Sequence, residues 1–126
     1  MKDKRPYNDD GDQHGWWETY YDNGQLYESG NYINGEEDGL HTRYYKNGIL
    51  VYKTNYKNGV KHGYSMDFWG NGKLANEGLY INGDQHGYWE DYSSDGTRDY
   101  GGHFNHGVMV GLFKYHTNDK EYHINT

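Results

Sequence analysis

Residues 11–34 read GDQHGWWETYYDNGQLYESGNYIN, and the same pattern of Gly, aromatic residues and Asn-Gly returns three more times along the chain. Asn-Gly pairs begin at residues 23, 34, 47, 58, 71 and 82, so their intervals alternate between 11 and 13 residues and sum to 24. A fixed period of this length is the signature of a repeat protein. The pattern divides the chain into four full units, a partial fifth unit and a charged N-terminal cap or tail. These segments are, after the cap at residues 1–10, residues 11–34, 35–58, 59–82, 83–106 and 107–126.

Each unit is predicted to form a β-hairpin, because two runs rich in Tyr, Trp, Thr and aliphatic residues flank an Asn-Gly turn. No stretch carries the 3.6-residue apolar period of a helix, so helices are not expected. The turn at Asn23 and Gly24 fits either a two-residue type I′ loop or a three-residue loop with Gly in a left-handed bulge position. We favour the three-residue loop, because it pairs Tyr20 directly with Leu26.

That register also places glycines across from aromatic residues and divides the side chains between two faces. Gly30 is expected to face Trp16, and Gly78 to face Tyr64. One face is predicted to be buried; it comprises Trp16, Tyr20, Leu26, Tyr32, Leu40, Tyr44, Leu50, Tyr56, Tyr64, Phe68, Leu74, Tyr80, Tyr88, Tyr92, Tyr100 and Phe104. The opposite face is predicted to be mixed and accessible. The predicted fold is all-β, an elongated, curved, single-layer meander of antiparallel hairpins.

The units resemble MORN repeats of the bacterial variant type, whose unit is similar to G-x-x-x-G-x-W-x-x-Y-x-x-N-G-x-L. Residues 11–26 (GDQHGWWETYYDNGQL) and 83–96 (GDQHGYWEDYSSDG) carry the resemblance most clearly. His41 and Ser65 depart from it where Trp is expected, and Arg98 departs where Leu is expected. The resemblance implies the hairpin-repeat fold, and it implies a binding role, since similar proteins are often labelled antitoxin components while eukaryotic relatives resemble scaffolds or lipid-contacting modules.

Composition limits the class of protein. The 126 residues include 16 Tyr and 4 Trp but no Cys, which excludes a disulfide framework, a thiol nucleophile and a Cys-ligated metal. The N-terminus reads MKDKRPYNDD and no run of ten apolar residues occurs, so neither a signal peptide nor a membrane span is expected. We therefore expect a cytoplasmic protein of one repeat domain.

Eight His residues raise the question of a metal site. His14, His62 and His86 hold the same place in their units, but equivalent residues of adjacent hairpins lie roughly 9.5 Å apart, too far to share one ion. The remaining candidate cluster lies in the final hairpin and consists of His103, His106, His116 and His123. We interpret these side chains as polar loop and strand residues and predict no metal.

Catalytic patterns are weak. Glu18 and Glu28 face each other in the expected register, at about the 5 Å separation that retaining glycosidases use. No equivalent pair in the other units consists of two carboxylates, and neither a G-x-S-x-G nor a phosphate-binding Gly-Lys-Ser/Thr motif occurs. We predict that the protein is not an enzyme and requires no cofactor.

Charge limits the partners, because 19 Asp and Glu against 12 Lys and Arg give a net charge of −7. Nucleic acids and anionic membranes, which draw on clustered cations, are not expected as ligands. Aromatic residues and carboxylates on the accessible face are predicted to form an interaction surface made of Trp17, Tyr21, Tyr45, Asp67, Trp69, Trp89 and Asp91.

Two function classes remain open from the sequence. The first is a protein-binding module, most concretely an antitoxin or immunity-like inhibitor of a basic protein. The second is a small-molecule binder that uses the aromatic rings, for example to sequester a nucleotide signal in a conflict between a phage and a bacterium. The alternative reading of the aromatic rings is that they only cover a thin sheet.

Overall fold

The computed structural model describes residues 2–115 and 121–124, with side chains described up to residue 112. These residues form one open sheet of ten antiparallel strands in chain order. The strands are β1 Gly15–Tyr20, β2 Leu26–Ile33, β3 Glu36–Tyr44, β4 Leu50–Lys57, β5 Val60–Phe68, β6 Leu74–Ile81, β7 Asp84–Tyr92, β8 Arg98–Asn105, β9 Val108–Tyr115 and β10 Glu121–Ile124. The predicted all-β fold of repeating hairpins is confirmed. Within the described part of the chain, no helix is long and apolar enough to cross a membrane.

Two kinds of turn alternate along the sheet. At one edge the backbone N–H of Tyr21 donates to the carbonyl of Gln25 at 2.8 Å and that of Gly24 donates to Tyr21 at 3.0 Å, which closes the three-residue loop that the sequence predicts. At the other edge Asn34 and Gly35 form a two-residue loop with φ values of 49° and 87°. Such positive angles at both positions define a type I′ turn, for which Asn-Gly is the favoured sequence.

A β-bulge after each three-residue loop shifts the register by one residue. Tyr20 pairs with Leu26 as predicted, but Thr19 pairs with Glu28, so Tyr27 is an extra residue on β2. The same irregularity recurs in β3–β4, β5–β6 and β7–β8. Because side chains alternate between faces, each bulge moves the rest of its strand to the opposite face.

This shift makes several predicted pairs wrong. Gly30 lies opposite Trp17 and not Trp16, and Glu18 lies opposite Ser29, so the suspected Glu18–Glu28 carboxylate pair does not form. In the third and fourth units, Gly78 lies opposite Ser65 and Gly102 lies opposite Trp89. The predicted contact of Gly78 with Tyr64 is therefore also wrong.

The buried side of the sheet is the face that carries Trp17 and Trp89, which we call the packed face. Ring contacts run across it, with centroids of Trp17 and Tyr32 5.5 Å apart and those of Tyr80 and Trp89 4.9 Å apart. Trp89 is only 5% exposed. The bulges bring Tyr32 and its equivalents onto this face, away from the group with which they were predicted to pack.

The other side, which we call the open face, carries the rest of the group that was predicted to be buried. Trp16, Tyr64 and Tyr88 are 48%, 46% and 39% exposed, respectively. The predicted assignment of buried and accessible faces is therefore wrong. The physical reason is that small residues of one unit lie beside large residues of the next on the packed face, so that the large rings can lie close to the sheet there.

Packing along the centre of the packed face pairs small residues with large ones. Gly30 leaves room for the ring of His41, and Gly78 leaves room for the ring of Trp89, so that a Cβ at either glycine would overlap that ring. Between them, Thr54 and Ser65 are both small, buried and joined by a 3.0 Å hydrogen bond. Ser65 lies between Thr54 on β4 and Gly78 on β6, so the position that glycine occupies in the first and third units is held by Thr54 in the second unit.

The N-terminal segment covers the free edge of β1. Lys4 and Glu18 form an antiparallel bridge, and Tyr7 forms another with Gln13. The indole Nε1 of Trp17 donates to the carbonyl of Pro6 at 2.9 Å, and the Tyr7 ring packs on Trp17 at 5.4 Å. The segment thus contributes to Trp17 the backbone acceptor that a preceding unit contributes to Trp89.

Candidate protein-binding surface

Asp67, Trp69 and Asp91 form an exposed group on the packed face, beside its ring-filled centre; we call this group the acidic patch. Asp67 pairs across β5–β6 with Asn76, which in turn pairs with Asp91 on β7, so the three polar residues are neighbours on adjacent strands. Trp69 follows β5 by one residue and is 40% exposed. The structure therefore brings these three predicted residues together.

The two carboxylates of the acidic patch lie in an environment that disfavours their charge. Burial raises the pKa of Asp67, with Lys61 acting in the opposite direction. Burial also raises the pKa of Asp91, and the negative charge of Asp99 adds to the effect. Neither carboxylate is in a salt bridge with the side chains of residues 2–112.

Asn76, between the two carboxylates, has a buried Oδ1 atom that accepts no hydrogen bond within the described part of the chain. A buried acceptor of this kind lowers stability unless a donor reaches it. The row from Asp67 to Asp91 therefore offers acceptor oxygens to a donor-rich group.

Arg43 is the residue of the second unit that is equivalent to Asp67 and Asp91, 24 and 48 residues further along the chain. Its Nη2 lies 2.7 Å from Glu28 Oε2, and its guanidinium lies 5.2 Å from the Tyr27 ring centroid and 5.5 Å from that of Tyr52. The hydrogen bond to Glu28 is the main cause that raises the pKa of Arg43. This face thus combines carboxylates and ring faces in a way that holds a guanidinium.

Hydrogen bonds between neighbouring three-residue loops position Trp69. Its Nε1 donates to the carbonyl of Tyr92 at 3.1 Å, and Asn71 Nδ2 donates to the carbonyl of Ser94 at 2.6 Å. Tyr21 has the same role in the first unit, where its hydroxyl donates to the carbonyl of Tyr44 at 2.7 Å. The aromatic side chains at this edge are therefore held in place before any partner binds.

The other predicted surface residues are less accessible than the sequence suggested. Trp89 is the buried ring over Gly78, so its prediction as an exposed anchor is wrong. Trp17 is half-buried beneath the N-terminal segment. Tyr21 and Tyr45 are half-buried at the loop edge.

The three equivalent histidines have a structural role that the sequence did not reveal. The Nδ1 atoms of His14 and His62 accept the backbone N–H of Asn34 and Asn82, both at 3.1 Å. His86 accepts the N–H of the corresponding turn residue at 3.3 Å. Each ring therefore bonds to the first residue of the type I′ turn that ends its own unit.

The predicted histidine cluster of the final hairpin is only partly described. The ring centroids of Tyr88 and His103 are 4.9 Å apart, and those of His86 and His106 are 4.7 Å apart. His116 and the side chain of His123 lie outside the described residues. Among the described residues, no group of three His, Asp or Glu side chains has the arrangement of a metal site.

A cleft of about 260 Å³ lies on the packed face between the N-terminal segment and the first two units. Its walls include Arg5, Tyr7, Trp17, Glu28, Tyr32 and Tyr52. Thr19, which also lines the cleft, has a buried hydroxyl without a hydrogen-bond partner among the described atoms. The sequence did not reveal this cleft, because residues 1–10 were predicted as a cap or tail without particular side-chain contacts.

The chain matches a known repeat family, and the match agrees with the hairpin architecture. The family described as MORN repeat variant matches residues 13–34, 37–58 and 61–82, which are 66 of the 126 residues. No curated protein matches the chain. MORN repeats generally mediate binding, to proteins or to membrane lipids, and the family is not a known enzyme family. With its matched hairpins repeating in one open sheet, the chain belongs to the MORN repeat variant family.

Proposed function

We propose that the protein is a non-catalytic binding module that engages a basic protein through the acidic patch, in the manner of an antitoxin or an immunity-like inhibitor. The observation that carries this proposal is the presence of two exposed carboxylates, Asp67 and Asp91, without salt bridges to the described side chains. Trp69 lies beside them with its indole fixed by a hydrogen bond.

The proposed contact repeats chemistry that the second unit already uses. A partner Arg that pairs with Asp67 or Asp91 would also lie near the face of Trp69, as Arg43 pairs with Glu28 and lies over Tyr27 and Tyr52. Such contacts stabilise a complex most when they are shielded from water. The net charge of −7 would also speed the encounter with a basic partner.

The test uses a fluorescent deca-arginine peptide as the basic probe and its citrulline analogue as the uncharged control. Binding is measured by anisotropy at low and moderate salt. The double variant Asp67→Asn/Asp91→Asn should weaken arginine-peptide binding by about tenfold or more. The matched control Asp9→Asn/Asp10→Asn removes the same charge from an exposed turn and should change binding by less than about twofold. Equal losses in the two double variants would reduce the proposal to non-specific charge attraction and overturn it.

A small-molecule function is the second candidate, and the cleft beside the N-terminal segment is the observation that favours it. Aromatic walls, the Arg5 guanidinium and the Thr19 hydroxyl suit a small planar ligand that carries polar or anionic groups, such as a nucleotide. Thermal-shift measurements with a panel of mono- and dinucleotides test this function. Arg5→Gln should abolish a shift that the control Lys2→Gln leaves unchanged, and the absence of any shift in the unmodified protein would exclude the probes used.

A further inference from the structure

Five large apolar residues form a row across the open face, which we call the open-face stripe. Their exposed fractions are 48% for Trp16, 44% for Leu40, 46% for Tyr64, 37% for Leu79 and 39% for Tyr88. They lie on β1, β3, β5, β6 and β7, so the row crosses most of the sheet. Asn31 on β2 and Asn55 on β4 lie between its first three members, so the row presents separate apolar side chains with polar side chains between them. Several large apolar side chains exposed on one face are typical of interaction surfaces.

The aromatic rings of the stripe are held in place by neighbouring side chains. Trp16 Nε1 donates to Glu18 Oε1 at 2.8 Å, and the Tyr64 hydroxyl donates to Glu77 Oε1 at 2.5 Å. Desolvation, together with this bond to Glu77, raises the pKa of Tyr64 to about 12. The polar ends of the Trp16 and Tyr64 rings are therefore already occupied, and a ligand would meet the apolar surface of these two rings. The Tyr88 ring packs beside His103, with ring centroids 4.9 Å apart.

The spacing of the stripe selects among polypeptide conformations. Trp16, Leu40, Tyr64 and Tyr88 lie on alternate strands, so successive members are about 9.6 Å apart. Three residues of a polyproline II helix span about 9.3 Å, and every third residue of that helix lies on the same side. Seven residues of an α-helix span about 10.5 Å, a mismatch that grows to about 3 Å over three steps.

The charges that border the stripe add a second requirement. Glu18 and Glu77 hold two of its rings, and Asp38 and Asp84 lie further along strands of the same face. On the same face Lys4 lies 3.9 Å from Glu18 and Arg98 lies 3.7 Å from Glu90. Among the described side chains this leaves Glu36, Asp38, Glu77 and Asp84 against Lys53 and Lys57. The acidic balance favours a ligand that carries cations between its apolar residues.

We propose that the open-face stripe binds a proline-rich segment of a partner protein in the polyproline II conformation, with an apolar residue at every third position and basic residues between. About ten residues of such a segment would span the distance from Trp16 to Tyr88. Proline rings pack well on exposed aromatic rings, and the preformed helix loses little entropy when it binds. The stripe lies on the face opposite the acidic patch, so this inference does not depend on the proposed function.

The probe for this site is the peptide (Pro-Pro-Lys)₄ with a fluorescent label. A block peptide, Pro₈Lys₄, has the same composition and charge without the three-residue period. The unmodified protein should bind the periodic peptide at least about tenfold more tightly than the block peptide. The shorter (Pro-Pro-Lys)₂ should bind much more weakly, because it reaches only half of the stripe.

Variants on the two faces separate this site from the acidic patch. Tyr64→Ala/Tyr88→Ala should weaken binding of the periodic peptide by about tenfold or more, whereas Asp67→Asn/Asp91→Asn should leave it within about twofold. Leu40→Lys, at a position that is 44% exposed, provides a second test if the double aromatic variant does not fold. It should weaken binding while circular dichroism shows an intact sheet.

Three results would overturn the proposal. The first is equal binding of the periodic and block peptides. The second is unchanged binding by Leu40→Lys. The third is a preference for an α-helical peptide with apolar residues seven apart, which would assign the stripe to a helical partner.

Discussion

Gly78→Ala tests the pairing of small with large side chains along the centre of the packed face. A Cβ at Gly78 would overlap the Trp89 ring, and Trp89 is a buried side chain whose Nε1 donates to the carbonyl of Leu79 at 3.0 Å. The ring must therefore move, and it must weaken or lose this hydrogen bond when it does. Backbone strain is not involved, because the φ angle of Gly78 is outside the positive region.

The size of the effect follows from two limits. If the ring shifts only slightly, overpacking lowers the free energy of unfolding by about 1–3 kcal/mol. If the ring leaves its site, the loss approaches the 3–5 kcal/mol that is typical of Trp→Ala in a core. We expect about 2–4 kcal/mol, which corresponds to a fall in Tm on the order of 10 °C for a domain of this size.

Urea denaturation followed by circular dichroism measures the loss. Gly70→Ala is the matched control, because Gly70 has nothing within 4 Å of the added Cβ and no positive φ. It should change stability by less than about 0.5 kcal/mol. If Gly78→Ala were as stable as Gly70→Ala, the Trp89 ring would not lie over Gly78.

A double variant tests whether a pair of small polar residues can replace the pairing of Gly78 with Trp89. Gly78→Thr/Trp89→Ser recreates the Thr54–Ser65 pair of the neighbouring unit, where two hydroxyls share a 3.0 Å hydrogen bond. Each single change should be destabilising, one by overlap and one by a cavity. The double variant should recover at least about 1 kcal/mol relative to the sum of the single changes. Simple additivity would contradict the pairing of these two positions.

Further predictions concern titration and the hydrogen bonds between histidines and turns. His62→Ala removes the acceptor of the Asn82 N–H and should lower the free energy of unfolding by about 0.5–1.5 kcal/mol, while His62→Asn, which retains an acceptor, should lose less in the same denaturation assay. Because burial raises the pKa of Asp67 above its ordinary 3.8, stability should fall as the pH rises through that raised pKa; Asp67→Asn should reduce this slope and slightly increase stability at neutral pH, as measured by denaturation midpoints between pH 3 and 7. Glu77→Gln should lower the Tyr64 pKa from about 12, as measured by phenolate absorbance during alkaline titration, and an unchanged value would exclude the hydrogen bond as a cause.

The repeat, the strand order and the three-residue loop could be predicted from the sequence, because glycines and Asn-Gly pairs recur at fixed spacing. The bulge could not be predicted in this way. Its extra residues are Tyr27, Val51, Ala75 and Asp99, which share neither size nor polarity. A bulge present in every unit leaves the 24-residue period unchanged, so the periodic pattern carries no sign of it.

Because the bulges were not predicted, the buried and accessible faces were assigned wrongly and Trp89 was predicted to be exposed. Before the bulge is known, Trp69 and Trp89 both belong to the accessible face of the predicted register. The available signal was a glycine eleven residues before the ring, since Gly30 precedes His41 and Gly78 precedes Trp89 by that interval. No glycine stands eleven residues before Trp69, where Asn58 belongs to a turn.

The single-layer design also explains why neighbouring units differ in their surface chemistry. Most of the buried side chains among the described residues belong to the narrow row of paired small and large residues. A position beside that row tolerates residues of opposite charge. The second unit has Arg43 at this position, where Glu28 pairs with it, whereas the third and fourth units have Asp67 and Asp91. Partial desolvation beside the row raises the pKa of both aspartates although they remain exposed, so a neutral residue there would favour folding of the free protein more. Carboxylates that lower the stability of the free protein are expected where a basic partner stabilises them in the complex. Asp67→Asn should therefore raise the stability of the free protein, and Asp67→Asn/Asp91→Asn should weaken binding of the partner.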